Sequence, residues 1–211
     1  MEGVANAFVS ERLVYRAVEP TEDDINFLHT QLSLDPVNYA LSDPGLLQPQ
    51  ARKTSEWVVS QVEKSLLGVM ICLPAKAADP DESKTDDKTK AEDPKPTPIG
   101  FLVLGWGGPG PRYFHHHRKT ELGISLTAPY LDKGYGSEAI RWALEWAFMR
   151  CNLHSVCLSS VGYNTRAHRA YEKVGFVLEG RNRESHWHAG KYWDVLNFSI
   201  LDREWHALQK K

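Results

Sequence analysis

A strong excess of either charge is missing from this chain. Its 25 Lys and Arg stand against 27 Asp and Glu, a net −2 at pH 7. Nucleic acid and anionic membrane reward a basic patch or stripe, so neither is the expected partner. No run of about 18 apolar residues occurs, and no membrane-spanning helix is expected. The first residues show no basic stretch followed by an apolar core, so no secretory leader is expected either. Cysteine is scarce: Cys72, Cys151 and Cys157 are an odd number without metal-ligand spacing. They suit a reducing compartment, which gives a cytoplasmic expectation with the nucleus left open. Internal repeats are absent. What is present is 42% apolar residues in 211 positions, enough for one domain with a proper core.

Taken in order, residues 1–9 read as a loose start. Arg12 to Val18 alternates as a first strand. Thr21 caps a helix whose first turn carries Glu22, Asp23 and Asp24, and whose pattern runs through Ile25, Leu28 and Leu32 to a stop before Pro36. Asp35 to Gln50 reads as a loop carrying Tyr39 and Asp43. A second helix starts at Thr54 or Ser55 and is ended by Gly68. Val69–Leu73 reads as a buried strand. Composition then shifts. Residues 75–97 are rich in Asp, Glu, Lys, Thr and Pro and hold no aromatic or large aliphatic residue, so they cannot bury enough apolar area to offset ordering entropy. They read as a mobile insertion between antiparallel strands, the second being Pro98–Trp106. His115-His116-His117 suggests a metal at first sight. Adjacent strand side chains point to opposite faces, however, so no metal site is expected.

The stretch that organises the chain is Glu121 to Phe176. A strand, Glu121–Leu126, leads into a turn holding Gly134 and Gly136. A helix follows with Ala139, Ile140, Ala143, Leu144 and Ala147 on one face. A helix start of this kind offers free N–H groups and the positive end of a dipole to an anion, and glycines let phosphate oxygens approach the main chain. Then come a second strand, Val156–Val161, and the run Asn164-Thr165-Arg166-Ala167-His168-Arg169-Ala170-Tyr171-Glu172-Lys173-Val174-Gly175-Phe176. Val177–Trp187 and Tyr192–Leu201 read as a terminal hairpin, and Asp202–Trp205 as the start of a helical tail. Trp142, Trp146 and Met149 form a flank of the central helix that reads as core or as a homodimer contact.

The glycine turn, the Asn and the Tyr-Glu-Lys-x-Gly-Phe run, in this order and spacing, resemble the GNAT superfamily of acyl-CoA-dependent N-acetyltransferases. The similarity is to the branch with ribosomal-protein N-terminal and spermidine acetyltransferases. It implies an α/β fold: a mixed, mostly antiparallel sheet of about seven strands with a splayed parallel pair, flanked by about four helices. One domain over 10–205, interrupted at 75–97, is expected. The implied co-substrate is acetyl-CoA, and the acceptor a small amine, a polyamine or a protein N-terminus. A catalytically silent CoA-binding sensor is the alternative.

The resemblance also distributes roles. Leu131, Asp132, Lys133, Gly134, Tyr135, Gly136 and Ser137 would hold the pyrophosphate, although the family usually carries Gln or Arg where this chain has Leu131. Two parallel strands, Glu121–Thr127 and His154–Val161, would part after a bulge and take the pantetheine arm between them. An N–H near Leu126 and Thr127 would polarise the thioester oxygen. Asn164 and Ala167 would contact the arm, with Asn164 also able to cap its helix. Tyr171 matches the general acid that protonates the leaving thiolate, and it also reads as a core tyrosine. Glu121 reads either as a general base, direct or through water, or as a surface ion-pair partner of Lys119 or Arg118. Tyr39, Trp187 and Tyr192 are candidate acceptor contacts, since aromatics suit a cationic amine.

Overall fold

The computed structural model describes residues 2–42, 45–75, 95–106 and 116–210. Asp43, His115 and positions 76–94 of the expected insertion lie outside the described residues. Seven strands form one sheet: β1 Val14–Ala17, β2 Leu67–Leu73, β3 Thr97–Leu104, β4 Lys119–Leu126, β5 Ser155–Val161, β6 Val177–His188 and β7 Lys191–Leu201. Their order is β1-β2-β3-β4-β5-β7-β6, and every neighbouring pair is antiparallel except β4 with β5. The helices are α1 Glu2–Ala5, α2 Glu22–Phe27, α3 Pro36–Ser42, α4 Arg52–Glu63, α5 Tyr135–Glu145, α6 Thr165–Val174 and α7 Asp202–Leu208. Wider π turns extend α2 over Leu28–Ser33 and α5 over Trp146–Arg150. The strand count and the single parallel pair agree with the expected α/β sheet, and the helices exceed the expected four.

Each face of the sheet has its own core. One face packs Ile71, Leu102, Leu104, Leu122 and Val156 against Ile140, Leu144, Tyr171, Val174 and Trp205 of α5, α6 and α7. Trp142 belongs to this core, stacked on Tyr15 with ring centres 3.8 Å apart, whereas Met149 on the same flank is exposed. The other face sets Met70 and Cys72 against Leu28, Leu32, Val59 and Val62. Asp24, buried under α2, is held by Arg16, which alternation places on β1.

Three local expectations need correction. The helix capped by Thr21 does end before Pro36, at Ser33, but the expected loop from Asp35 to Gln50 holds a further helix, α3, which Asp35-Pro36 starts. Asp35 Oδ1 accepts from the N–H of Val37 at 2.9 Å and of Asn38 at 3.2 Å, and Pro36 fills the first helical position, where a missing N–H costs nothing. Gly68 is not a helix stop either. It lies inside β2 opposite Val103, and a Cβ there would come within 2.7 Å of the Val62 carbonyl oxygen, so the glycine lets β2 pass under the end of α4. The start of α4 is Arg52, ahead of Thr54. The terminal hairpin is as read: Ala189 (φ 50°) and Gly190 (φ 82°) form its two-residue turn, both left-handed as a tight hairpin requires.

Candidate active site

The parallel pair opens. β4 and β5 are in register only from Lys119 opposite Ser155 to Glu121 opposite Cys157. Beyond that rung, β4 stays zipped to β3 through Leu126, and β5 stays zipped to β7 through Val161. Each strand follows its outer neighbour, and a gap forms between them. The expected bulge is not there: the β3–β4 register runs unbroken from Leu122 to Leu126. Divergence of two twisted sheet halves is enough to part the strands.

The polar groups facing the gap follow from the ladder. The Glu121 carbonyl accepts from Gly105 N–H at 2.8 Å, and Thr127 N–H donates to the Ile99 carbonyl at 2.9 Å. Odd-numbered residues of β4 therefore spend their main-chain groups on β3, and Ile124 and Leu126 turn theirs into the gap. The Leu126 carbonyl is taken by Asn38 Nδ2 at 3.1 Å, and Ser125 Oγ donates to Asn38 Oδ1 at 2.7 Å. Asn38 thus ties α3 to β4. At its other end, α3 is tied to the end of β5. Asn164 Nδ2 reaches the Leu41 carbonyl at 3.3 Å, and the Tyr163 hydroxyl donates to the Ala40 carbonyl at 2.5 Å. Tyr163 in turn meets the buried His186 from the hairpin at 3.1 Å. α3 spans the open end of the gap like a crosspiece.

Running through the gap is a cavity of about 600 Å³. At one end it meets the start of α5. Asp132 (φ 58°) and Gly134 (φ 83°) are both left-handed, a turn that brings the chain abruptly into the helix. α5 has no side-chain cap, so the amides of its first turn have no intrahelical partner. Gly134, Gly136 and Ser137 line the cavity there. An uncapped helix start with glycines at the lining suits a phosphate or pyrophosphate. Along the other wall lies Tyr171 of α6, nine-tenths buried against Phe176 and Phe198. Burial pushes its phenol up to about 12. Among the described residues its hydroxyl makes no hydrogen bond, and the raised value keeps it a neutral, uncommitted donor.

A sequence profile of the GNAT acetyltransferase domain matches residues 12–177. The chain belongs to the GNAT acetyltransferase family. It is 32% identical over 94 residues to the uncharacterized N-acetyltransferase YnaD of Bacillus subtilis, covering 44% of this chain and 55% of that one. It is 34% identical over 89 residues to a spermidine N(1)-acetyltransferase of Vibrio cholerae, covering 42% and 51% respectively. The chain therefore spans about half the length of the curated relatives it matches. The GNAT fold itself extends further. A GNAT acetyltransferase structure from Bacillus anthracis superposes with a TM-score of 0.66 at 23% identity, over 93% of this chain and 99% of that one. The V. cholerae spermidine N-acetyltransferase solved with CoA and spermine gives 0.68 at 23%, with the same coverage.

Of the residues singled out in the sequence, this GNAT cavity is lined by Leu126, Leu131, Asp132, Gly134, Gly136, Ser137, Asn164, Ala167 and Tyr171. Asn164 caps α6 through Ala167 N–H at 3.2 Å as well as gripping α3. Thr127 is buried with its N–H spent on β3, Tyr135 packs against the Arg12 guanidinium and Lys133 reaches over the Tyr130 ring; none of the three lines the cavity. Glu121 is exposed on the last paired rung and does not line it either. Tyr39 lies on α3 beside the lining residues Asn38 and Leu41 without joining them. Trp187 and Tyr192 are exposed at the hairpin tip, packed on each other with ring centres 4.8 Å apart. The rings of His116 and His117 lie with centres 3.9 Å apart, tilted by 42°, and among the described residues no cluster of His, Cys, Asp or Glu is arranged to hold a metal ion. Among the same residues no helix is long and apolar enough to cross a membrane. Sequence reasoning missed Asn38 and Tyr163. Both act through contacts with partners far along the chain, which leave no local pattern.

Proposed function

We propose that this GNAT chain transfers the acetyl group of acetyl-CoA to a primary amine by direct attack, with both substrates bound at once. One domain over residues 10–205, interrupted at 75–97, carries the reaction. The observation that supports this best is the gap itself. It offers unpaired β4 amides along one wall, an uncapped helix start at one end and an unspent phenol on the other wall. The pyrophosphate of coenzyme A would sit on the Gly134–Ser137 amides. The pantetheine arm would pair with β4 as an added strand.

An alkylamine with a pKa near 10.4 is nucleophilic in fewer than about one molecule in a thousand at pH 7. That deficit is worth about 4–5 kcal/mol and makes proton removal part of the problem. Alternation puts Glu121 on the same face of β4 as the lining residues Gly123 and Ser125, about 7 Å before Gly123 along the strand. We assign Glu121 proton removal through water, since it does not reach the gap directly. As the amine attacks, negative charge grows on the carbonyl oxygen, where the Leu126 N–H is placed to receive it. As the C–S bond breaks, the Tyr171 hydroxyl donates a hydrogen bond to sulfur. A phenol near 12 facing a thiol near 8.5 makes complete proton transfer uphill by about 5 kcal/mol. Tyr171 therefore acts mainly as a neutral donor to the departing sulfur.

The acceptor reading follows from charge. Among the described residues, Asp35 and Asp132 are the carboxylates lining the cavity. Asp35 is used as the cap of α3, and Asp132 stands 3.9 Å from Arg166. Arg166, Arg169 and Lys173 line the same cavity, so its charged lining is net positive. This favours a singly charged amine, small or at a peptide N-terminus, over a polyamine. The V. cholerae relative is named for spermidine, which makes the comparison direct. Thiol release from acetyl-CoA should be measured against monoamines, spermidine and short peptides, beside CoA binding by calorimetry. Faster turnover with singly charged amines is expected. Tight CoA binding without turnover of any amine would make the chain a sensor and sink the enzymatic reading.

A further inference from the structure

Arg12, just ahead of β1, grips the anion turn from outside. Its Nε and Nη2 each lie 2.8 Å from Glu138 Oε2 in the first turn of α5. Its Nη1 donates to the Lys133 carbonyl at 3.1 Å, and the guanidinium carbon sits 4.6 Å above the centre of the Tyr135 ring. Glu138 Oε1 accepts from the Ser10 hydroxyl and from Arg12 N–H, both at 2.7 Å. A Cβ on Gly134 would stand 3.3 Å from Arg12 Nη2, so the glycine also makes room for the guanidinium.

The Lys133 carbonyl and the Gly134 N–H belong to one planar trans unit and point in opposite directions. A carbonyl held outward by Arg12 turns the Gly134 N–H inward, toward the cavity that Gly134 lines. A second effect concerns charge. Burial tends to neutralise Glu138, but the hydrogen bonds from Ser10 and Arg12 and the Arg12 charge outweigh it and keep the carboxyl below its ordinary value. Unpaired, that carboxylate would oppose any anion at the helix start. Paired with Arg12, it does not.

We propose that Arg12 is a positioning residue for the donor's pyrophosphate: it orients the Lys133–Gly134 peptide and screens Glu138 without touching the ligand. This rests on the acyl-CoA reading above. The test uses the 211-residue chain and two donors, acetyl-CoA and S-acetylpantetheine, which lacks the pyrophosphate. Arg12→Ala should raise the KM for acetyl-CoA at least tenfold with kcat within about threefold. The loss of kcat/KM should be at least tenfold greater with acetyl-CoA than with S-acetylpantetheine. Arg12→Lys keeps a cation but loses the fork, and should fall between Ala and wild type. Equal losses with both donors would mean general damage to the fold and overturn the proposal, as would an unchanged KM for acetyl-CoA. Calorimetry of the wild type with CoA separates the premises. If the wild type does not bind CoA, the acyl-CoA reading fails. If it binds and Arg12→Ala binds equally well, only the positioning role fails.

Discussion

Replacing Tyr171 with phenylalanine should slow acetyl transfer about a hundredfold while leaving stability almost unchanged. The two halves of that expectation come from different features. The ring packs between Phe176 and Phe198, with centres 6.0 and 5.8 Å away, and phenylalanine keeps those contacts. The hydroxyl has no hydrogen-bond partner among the described residues, so its removal orphans none of them, and a stability change within about 0.5 kcal/mol is expected. Catalysis loses the donor to sulfur, for which about 10²-fold, or about 2.7 kcal/mol, is the low end of lost acid catalysis. The raised phenol adds a pH signature. Burial lifts it from 10.0 to about 12, so it remains protonated throughout the assay range. Wild-type kcat/KM should climb from pH 6 to 9.5 as the amine loses its proton, with no alkaline fall from Tyr171. The same shift gives stability that is fully present below pH 10 and lost as pH rises toward 12, because the folded state holds the proton longer. Thiol-release kinetics and thermal melting of both proteins across this range are the assay. An unchanged rate in Tyr171→Phe would refute the role. So would a wild-type alkaline limb near pH 8–9 that the substitution abolishes.

Gly136→Ala separates fold from ligand. A Cβ there lies 3.6 Å from Leu126 Cδ1, an ordinary contact, so melting should move little, whereas CoA affinity should drop at least tenfold as the methyl enters the phosphate site. Equal affinity would move the anion elsewhere. Glu121→Gln should displace the rising limb of kcat/KM to higher pH with the KM for acetyl-CoA unchanged; a profile that superposes on wild type would leave Glu121 a surface residue.

The strands of this protein were legible where burial imposes a period. Glu121–Leu126, Val156–Val161 and the Ala189-Gly190 hairpin need only local chemistry to be recognised. The glycine turn was legible because Gly134 and Gly136 stand where a strand meets a helix. Other features depend on partners distant in sequence. The helix capped by Thr21 does stop before Pro36, but the same Asp35-Pro36 pair also starts α3, which was read as loop because its ties to Leu126 and Asn164 lie far along the chain. Gly68 looks like a helix terminator until the Val62 carbonyl is seen above it. Asn38 reaches Leu126 across 88 positions and Arg12 reaches Glu138 across 126. No window along the chain contains both partners. The parting of β4 from β5 leaves no local signature, since each strand keeps a regular ladder on its outer side. It was anticipated through family resemblance alone, and that resemblance carried with it a bulge this chain lacks.

Amide hydrogen exchange with and without CoA probes the gap most directly. Ile124 and Leu126 of β4, together with Gly134, Tyr135, Gly136 and Ser137 at the start of α5, should slow at least tenfold when CoA is added, while β1 and β2 stay unchanged. CoA that binds without slowing those amides would mean that the ligand lies outside the parted strands.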